Sequence, residues 1–400
     1  PDPGPNHQIG LGWLNAPNFS FLTDAWVVAS DAPAQAIAAA TALQAAGYPA
    51  WICDGVADEV QINAAISYLQ STLPGVGGIV ALSAGNFTCA AAPTVTQTNA
   101  FAGTPIRIVG AGEDVTWIKV PDATNGVVFD ATAASGWNYM RQCSLEKLSL
   151  TWSGYTPANG EQQTGGRAVS WLGDCLGMRI DRVRTYGFYD TLYLHPSTVG
   201  GTALGRADSG YVSNCQFNDT KHHVYDLDGF VGLWFTNIES TNRDTMEAVR
   251  GWYITQGEAL TGLNVGGWRM GKGADAFVAY IAAGKHLKWV YFDFLTLDTC
   301  TEGGMTLKAI GANAVIEGIW LHKLSTGQRT DGNAVDQMNG LILQADTGGL
   351  LYRVTLQDPE IYTFTSEGIY INGLKESTIM GGRVMDNNQG SASSTAFGSG

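Results

Sequence analysis

"MRIDRVRTYGFYDTLYLHP", residues 178–196, contains one complete repeating unit of the chain. Ile180, Val183 and Thr185 follow one spacing: an inward residue, two others, an inward residue, one other, an inward residue. A turn comes next, and "TLYLHP" then alternates apolar and other side chains. Neither part has the 3.6-residue period of a helix, so the stretch reads as two short strands separated by a turn.

The same unit recurs along the chain. The first element appears as Leu145-Leu148-Leu150, Val212-Cys215-Phe217, Phe235-Ile238-Ser240, Val265-Trp268-Met270, Leu287-Val290-Phe292, Ile316-Ile319-Leu321, Leu351-Val354-Leu356 and Ile379-Gly382-Val384. The second appears as "HHVYDLDG", "AFVAYIAAG", "GMTLKAIG", "GLILQADTGG" and "GIYINGL". Intervals of roughly 22 to 35 residues suit coils that carry loops of different length. Short strands in such coils predict a parallel β-solenoid, each coil stacking on the one before. A β-propeller would need four strands in about 40 to 45 residues with a regular signature, which the sequence lacks.

The solenoid has a readable beginning. In "WICDGVADEVQINAAISYLQ", residues 51–70, a strand and an Asp54-Gly55 turn precede a helix. Asp58 and Gln61 stand at capping-box spacing, and Ile62, Ala65, Ile66 and Leu69 share one helical face. Pro74 and Gly75 stop the helix, and "GGIVALSAGNFTC" continues as strand, turn and strand. A solenoid core is open at its ends, so a short amphipathic helix there acts as a cap.

"CDGVADEVQINAAI", "GGIVALSAGNFT" and "PIRIVGAGEDVTWIKV" together resemble the start of right-handed β-helices of the pectate-lyase superfamily, with Gly110 and Gly112 turning the chain before Thr116. The resemblance implies an all-β, right-handed parallel β-helix with an N-terminal capping helix, closest in style to phage tailspike and depolymerase-like proteins. Three segments follow. Residues 1–50 form an N-terminal extension with an Ala-rich helix in "APAQAIAAATALQAAGY", offered to the N-terminal end or to a virion or surface partner; residues 51–388 form the β-helix; residues 389–400 form a flexible tail.

Composition narrows the function. The chain of 400 residues is 45% hydrophobic but only 14% charged, against about 25% in typical domains. Its net charge of −14 argues against a nucleic-acid partner, which calls for Lys and Arg to neutralise phosphates. No apolar run approaches the roughly 18 residues of a membrane span. "PDPGPNHQIG" has no basic region followed by an apolar stretch, so no signal peptide is read there. The six cysteines form no CxxC pair, which speaks against zinc, and no metal or other cofactor is expected. Cys143 and Cys215 fall at core positions.

The outward positions carry the candidate chemistry. One place per coil gives Ser149, Arg184, Gln216, Glu239, Arg269, an aromatic at 291, Trp320, Thr355 and Arg383, and the skipped neighbours add Arg182, Asn214, Asn237 and Trp289. With coils about 4.8 Å apart these side chains form a ladder. Sugar rings stack on Trp and Tyr, and hydroxyls pair with carboxylates, amides and Arg. Arg184, Gln216, Arg269, Trp289 and Trp320 are therefore the candidate carbohydrate-binding residues; a solvated sheet face or a subunit interface are the other readings of the same ladder. Hydrolysis of a glycosidic bond calls for two carboxylates. The acidic stretch from Asp219 through Asp226, Asp228, Glu239, Asp244 and Glu247 supplies Glu239, Asp219 and Asp244 as catalytic candidates, and His222-His223 offers acid–base groups. Lyase chemistry, as the resemblance implies it, would use an Arg such as Arg184 or Arg182 as base. The Gly-His-Gly motif of the polygalacturonase branch is absent.

The leading expectation is a tailspike-like β-helix at an extracellular or virion surface that recognises, and in one version depolymerises, a polysaccharide; the resemblance implies a homotrimer. The alternatives are a non-catalytic structural virion or cell-surface component, and a secreted polysaccharide lyase or glycoside hydrolase.

Overall fold

In the strand Arg179–Tyr186 the alternation of inward and outward side chains breaks once. Ile180 and Val183 both face the core, at 1% and 0% exposure, although three positions apart. Arg182 between them is left-handed, φ 54°, and this one corner residue shifts the phase of the strand and bends it. The i, i+3, i+5 spacing is thus the imprint of a corner. The computed structural model describes residues 24–97, 103–132, 140–158, 160–195, 207–227, 229–241, 250–255, 260–328, 339–362, 364 and 367–385. The chain divides into two compact units, residues 1–221 and 222–400.

The first unit is a stack of parallel coils around one core. Ala25, Val80, Ile108, Leu145, Ile180 and Val212 succeed one another in register, none more than 1% exposed. Phe87, Ile118, Leu150, Thr185 and Phe217 form a second inward column, and Val95, Phe129, Trp171 and Leu194 a third. Three sheets therefore enclose the interior, and each large apolar side chain so buried contributes about 1.5–3 kcal/mol. Cys143 and Cys215 are buried among them, and burial pushes both thiols up to about 12.

Two helices stand at the start of this unit, α1 (Ala34–Ala45) and α2 (Glu59–Thr72). The strand Ala25–Val28 pairs with both Ala50–Ile52 and Gly78–Leu82. Ile62, Ala65, Ile66 and Leu69 form the buried face of α2, as their spacing predicts. The capping box does not form. Asp58 makes no side-chain bond to the helix; its carboxylate accepts from the backbone amides of Gly55 (2.9 Å) and Thr88 (2.7 Å). Glu59 accepts from Ala90 N (2.8 Å) and Asn63 from Thr94 N (2.9 Å), while Gln70 donates to Thr96 O (2.9 Å). Asp58 and α2 thus satisfy backbone groups along the outer edge of a coil, which would otherwise be open to pairing with another chain.

The second unit is also a stack of parallel coils. Phe230–Thr241, Leu260–Ile281, His286–Ala309, Val315–Gln328 and Leu350–Gln357 pair in that order. A further inward column runs through Tyr225, Phe277, Met305 and Leu341. As at Arg182 and Gly187 and at Asn214 and Asp219 of the first unit, the left-handed corners come in pairs five residues apart, at Trp289 and Phe294, Gly318 and Lys323, and Arg353 and Asp358. The i, i+3, i+5 spacing therefore occurs twice per coil, as Leu287-Val290-Phe292 and again as Phe292-Leu295-Leu297.

This doubling corrects the single outward ladder expected from sequence. Glu239 and Arg269 align with Thr296, Ser325, Glu360 and Arg383, beyond the second corner. Tyr291, Trp320 and Thr355 belong to a separate row, between the corners, with Trp234 and Asn264. The two rows merge in a sequence reading because either corner generates the same spacing.

Candidate functional site

The densest group of exposed aromatics among the described residues lies on the second unit. Trp289, Tyr291, Phe294 and Trp320 are 44%, 43%, 52% and 44% exposed. Tyr291 and Trp320 are register partners in adjacent coils, about 4.8 Å apart along the stack. Trp289 lies over Gly318 of the next coil, where a Cβ would come within 2.6 Å of the indole carbons. Gly318, at φ 68°, gives the ring the room it occupies.

Two of these aromatics sit where aromatics are disfavoured. Trp289 and Phe294 are corner residues at φ 58° and 55°. A left-handed conformation is unfavourable for a bulky side chain by about 1–2 kcal/mol, whereas Gly and Asn adopt it readily. Other corners of the unit carry Gly or Asn, at Gly232, Asn237 and Gly318, and polar side chains, at Lys323, Arg353 and Asp358; Trp289 and Phe294 place aromatic rings there.

A polar pair stands within this group. His322 donates through Nδ1 to Oδ1 of Asp293 at 2.7 Å. That bond leaves the other ring nitrogen, Nε2, as an acceptor in the neutral imidazole. The His322 ring meets the edge of Phe294 with centroids 5.9 Å apart, and Lys323 Nζ lies 4.3 Å from the centre of the Phe294 ring. Beside the first corner, Glu317 is tied to Lys288 (3.4 Å) and Arg353 (2.9 Å). The Tyr352 hydroxyl, with these two cations, outweighs desolvation and holds the Glu317 carboxyl below its ordinary range. The face thus offers apolar rings, a donor–acceptor pair and a cation on adjacent coils, the chemistry that sugar rings and their hydroxyls match.

The residues singled out from sequence separate in the structure. Trp289 and Trp320 come together on this face. Glu239 is half-buried and in register with Arg269; it stands three coil steps from Trp320, about 14 Å along the stack. The side chain of Arg269 lies outside the described residues, as do Asp228, Asp244 and Glu247. His223 is only 3% exposed, its ring centroid 3.6 Å from that of His222 at a 44° inclination, and it lies 4.0 Å from Asp226.

In the first unit, Arg184 and Gln216 are register partners. Arg184 is engaged by Glu113 at 2.9 Å and by Asp114. Asp219 is 5% exposed and accepts from the Tyr155 hydroxyl at 2.8 Å, so its carboxylate serves the packing of the chain around Tyr155. Sequence reasoning missed Phe294 and the Asp293–His322 pair. The second occurrence of the corner spacing, Phe292-Leu295-Leu297, was the signal that could have placed Phe294 at a corner.

Stacked parallel coils with left-handed corners define the class: the chain is a right-handed parallel β-helix. No family model and no curated relative matches it. Among solved structures it is similar to the pre-mature bacteriophage phi29 gene product 12, at 12% identity and a TM-score of 0.52, over 82% of this chain and 50% of that one. It therefore spans about half the length of that phage protein. More distant similarity extends to the A-module of the Azotobacter vinelandii mannuronan C-5 epimerase AlgE6 (15% identity, 84% of this chain and 95% of that one, TM-score 0.33). It extends also to the catalytic unit of the GH87 α-1,3-glucanase of Streptomyces thermodiastaticus strain HF3-3 (14%, 82% and 61%, TM-score 0.39). At these identities the likeness is one of fold.

Proposed function

We propose that the protein recognises a polysaccharide through the face formed by Trp289, Tyr291, Phe294 and Trp320, in the manner of a tailspike. The placement of Trp289 and Phe294 carries this reading: two large aromatics held half-exposed in backbone conformations that disfavour them. Backbone strain of that kind persists where surrounding structure over-determines it, commonly at ligand sites. Asp293 and His322 then read the hydroxyls of a sugar whose ring lies on Tyr291 or Trp320. A polysaccharide partner puts the protein at an extracellular or virion surface.

Binding of the whole chain to a panel of bacterial and plant polysaccharides tests the reading. Trp320→Ala is expected to weaken binding to the recognised glycan by about tenfold, taking as a scale the about 1–3 kcal/mol that a nucleic-acid base gains by stacking on an aromatic side chain. Unchanged affinity in Trp320→Ala would remove the face from the account. Release of reducing ends, and its loss in Glu239→Gln, would add depolymerisation to recognition and make Glu239 a catalytic residue. The same aromatics would also pack well against a second copy in a trimer. A trimer of the native chain that becomes monomeric in Trp320→Ala, with no glycan bound by either, would make the face an assembly surface and the protein a structural component.

A further inference from the structure

A second constellation, in the first unit, is built from charge. Glu146 and Asp181 are register neighbours in adjacent coils and only 6% and 3% exposed. Two carboxylates stacked in this way repel one another unless cations compensate them. Arg107 gives Nε and one Nη to Glu146, the shortest contact being 2.9 Å. Arg179 and Arg182 both reach Asp181, at 3.2 and 3.3 Å, and Ser213 and Asn214 donate to the same carboxylate at 2.7 and 3.0 Å. Desolvation alone would raise the Asp181 carboxyl, but these donors and the two arginines bring it below its ordinary value.

The carboxylates are buried, whereas the cations are not. The side chains of Arg107, Arg179 and Arg182 are 43%, 52% and 49% exposed. Each guanidinium has five N–H donors, and the bonds to Glu146 and Asp181 engage only part of each fork. Lys147 occupies the same left-handed corner as Arg182, one coil earlier, so a further cation stands about 4.8 Å from it along the stack. Desolvation and the Arg182 charge pull the Lys147 ammonium below its ordinary value. Four cations thus surround two carboxylates, an excess of two positive charges in a chain whose net charge is −14. The nearby acids Glu113 and Asp114 are engaged by Arg184. Tyr211, 47% exposed, is the register neighbour of Arg179, one coil further along the stack.

We propose that Arg107, Lys147, Arg179, Arg182 and Tyr211 form a site for the carboxylate groups of an acidic polysaccharide. Buried Glu146 and Asp181 orient the arginine forks, whose remaining donors match a carboxylate in geometry. Tyr211 supplies the surface on which a sugar ring rests. The site belongs wholly to the first unit and does not depend on the aromatic face of the second.

Calorimetric titration of the full chain with polygalacturonate, neutral dextran and polyphosphate tests this, with Trp320→Ala as the background so that the aromatic face contributes little. Polygalacturonate is expected to bind, dextran not to bind, and affinity to fall as salt is raised. The double variant Lys147→Gln/Arg182→Gln should weaken polygalacturonate by about tenfold or more, and Lys147→Gln alone by about threefold. The single variant leaves both arginines on Asp181, so it separates lost binding from lost folding. Equal binding of dextran, no binding of polygalacturonate, or unchanged affinity in both variants would overturn the proposal. Polyphosphate binding without polygalacturonate binding would overturn the carboxylate assignment and make the site one for phosphate polymers.

Discussion

Phe294 shows how one residue ties backbone conformation to function. At φ 55° it occupies a corner that Asn fills in another coil, at Asn237, and its ring is half exposed. Phe294→Asn removes a bulky side chain from a left-handed conformation, so the fold should lose no more than about 1 kcal/mol and should hold its midpoint in denaturant. Glycan binding should weaken in the same variant. A large loss of stability would instead make Phe294 a packing residue, held by His322 and Lys323. Asp181 is a buried carboxylate that serves the fold as well as orienting its arginines. Its carboxyl lies below the ordinary value, so it contributes stability above about pH 4 that is lost as pH falls through its folded-state value. Asp181→Asn should therefore cost about 2 kcal/mol at neutral pH, the scale of hydrogen bonds to a charged group. The two proteins should converge in acid, which urea titrations at pH 7 and pH 3 would measure.

At the scale of the element, α2 holds the edge of the first unit through side chains that meet backbone amides. Asp58→Ala removes the acceptor for Gly55 N and Thr88 N. A loss of about 2 kcal/mol is expected, with faster amide exchange along α2 while the coils after residue 140 stay protected. The apolar face of α2 was legible because burial follows helical period; the use of Asp58 was not, because a capping box and a tie to a distant strand employ the same residue. The coils show the same division. A repeated spacing revealed strands and corners, since each corner shifts the inward phase by one position. It does not distinguish the first corner from the second, and on spacing alone Tyr291 and Trp320 fall in one row with Glu239 and Arg269. Asp293 and His322 went unread because their partnership exists only across a coil step, 29 residues apart in the chain.

At the scale of the whole molecule, sequence revealed the class of fold more fully than the site. Composition, turn-rich character and repeated spacing all follow from stacked coils, and the spacing recurs from Leu145 onward. A binding face is assembled from a few side chains in different coils, so a shift between corner frames rearranges it. The scarcity of charge in the chain as a whole makes the local arrangements stand out: a ring-lined face in the second unit and a guanidinium cluster in the first. Both lie on regular coils, whose register holds side chains at fixed spacing, as a repeating polymer requires. Oxidative footprinting of tryptophan and tyrosine, with and without saturating glycan from the binding panel, reads occupancy of the aromatic face itself. Protection concentrated on Trp289, Tyr291 and Trp320 is expected. Binding that leaves these three as reactive as in the free protein would contradict it.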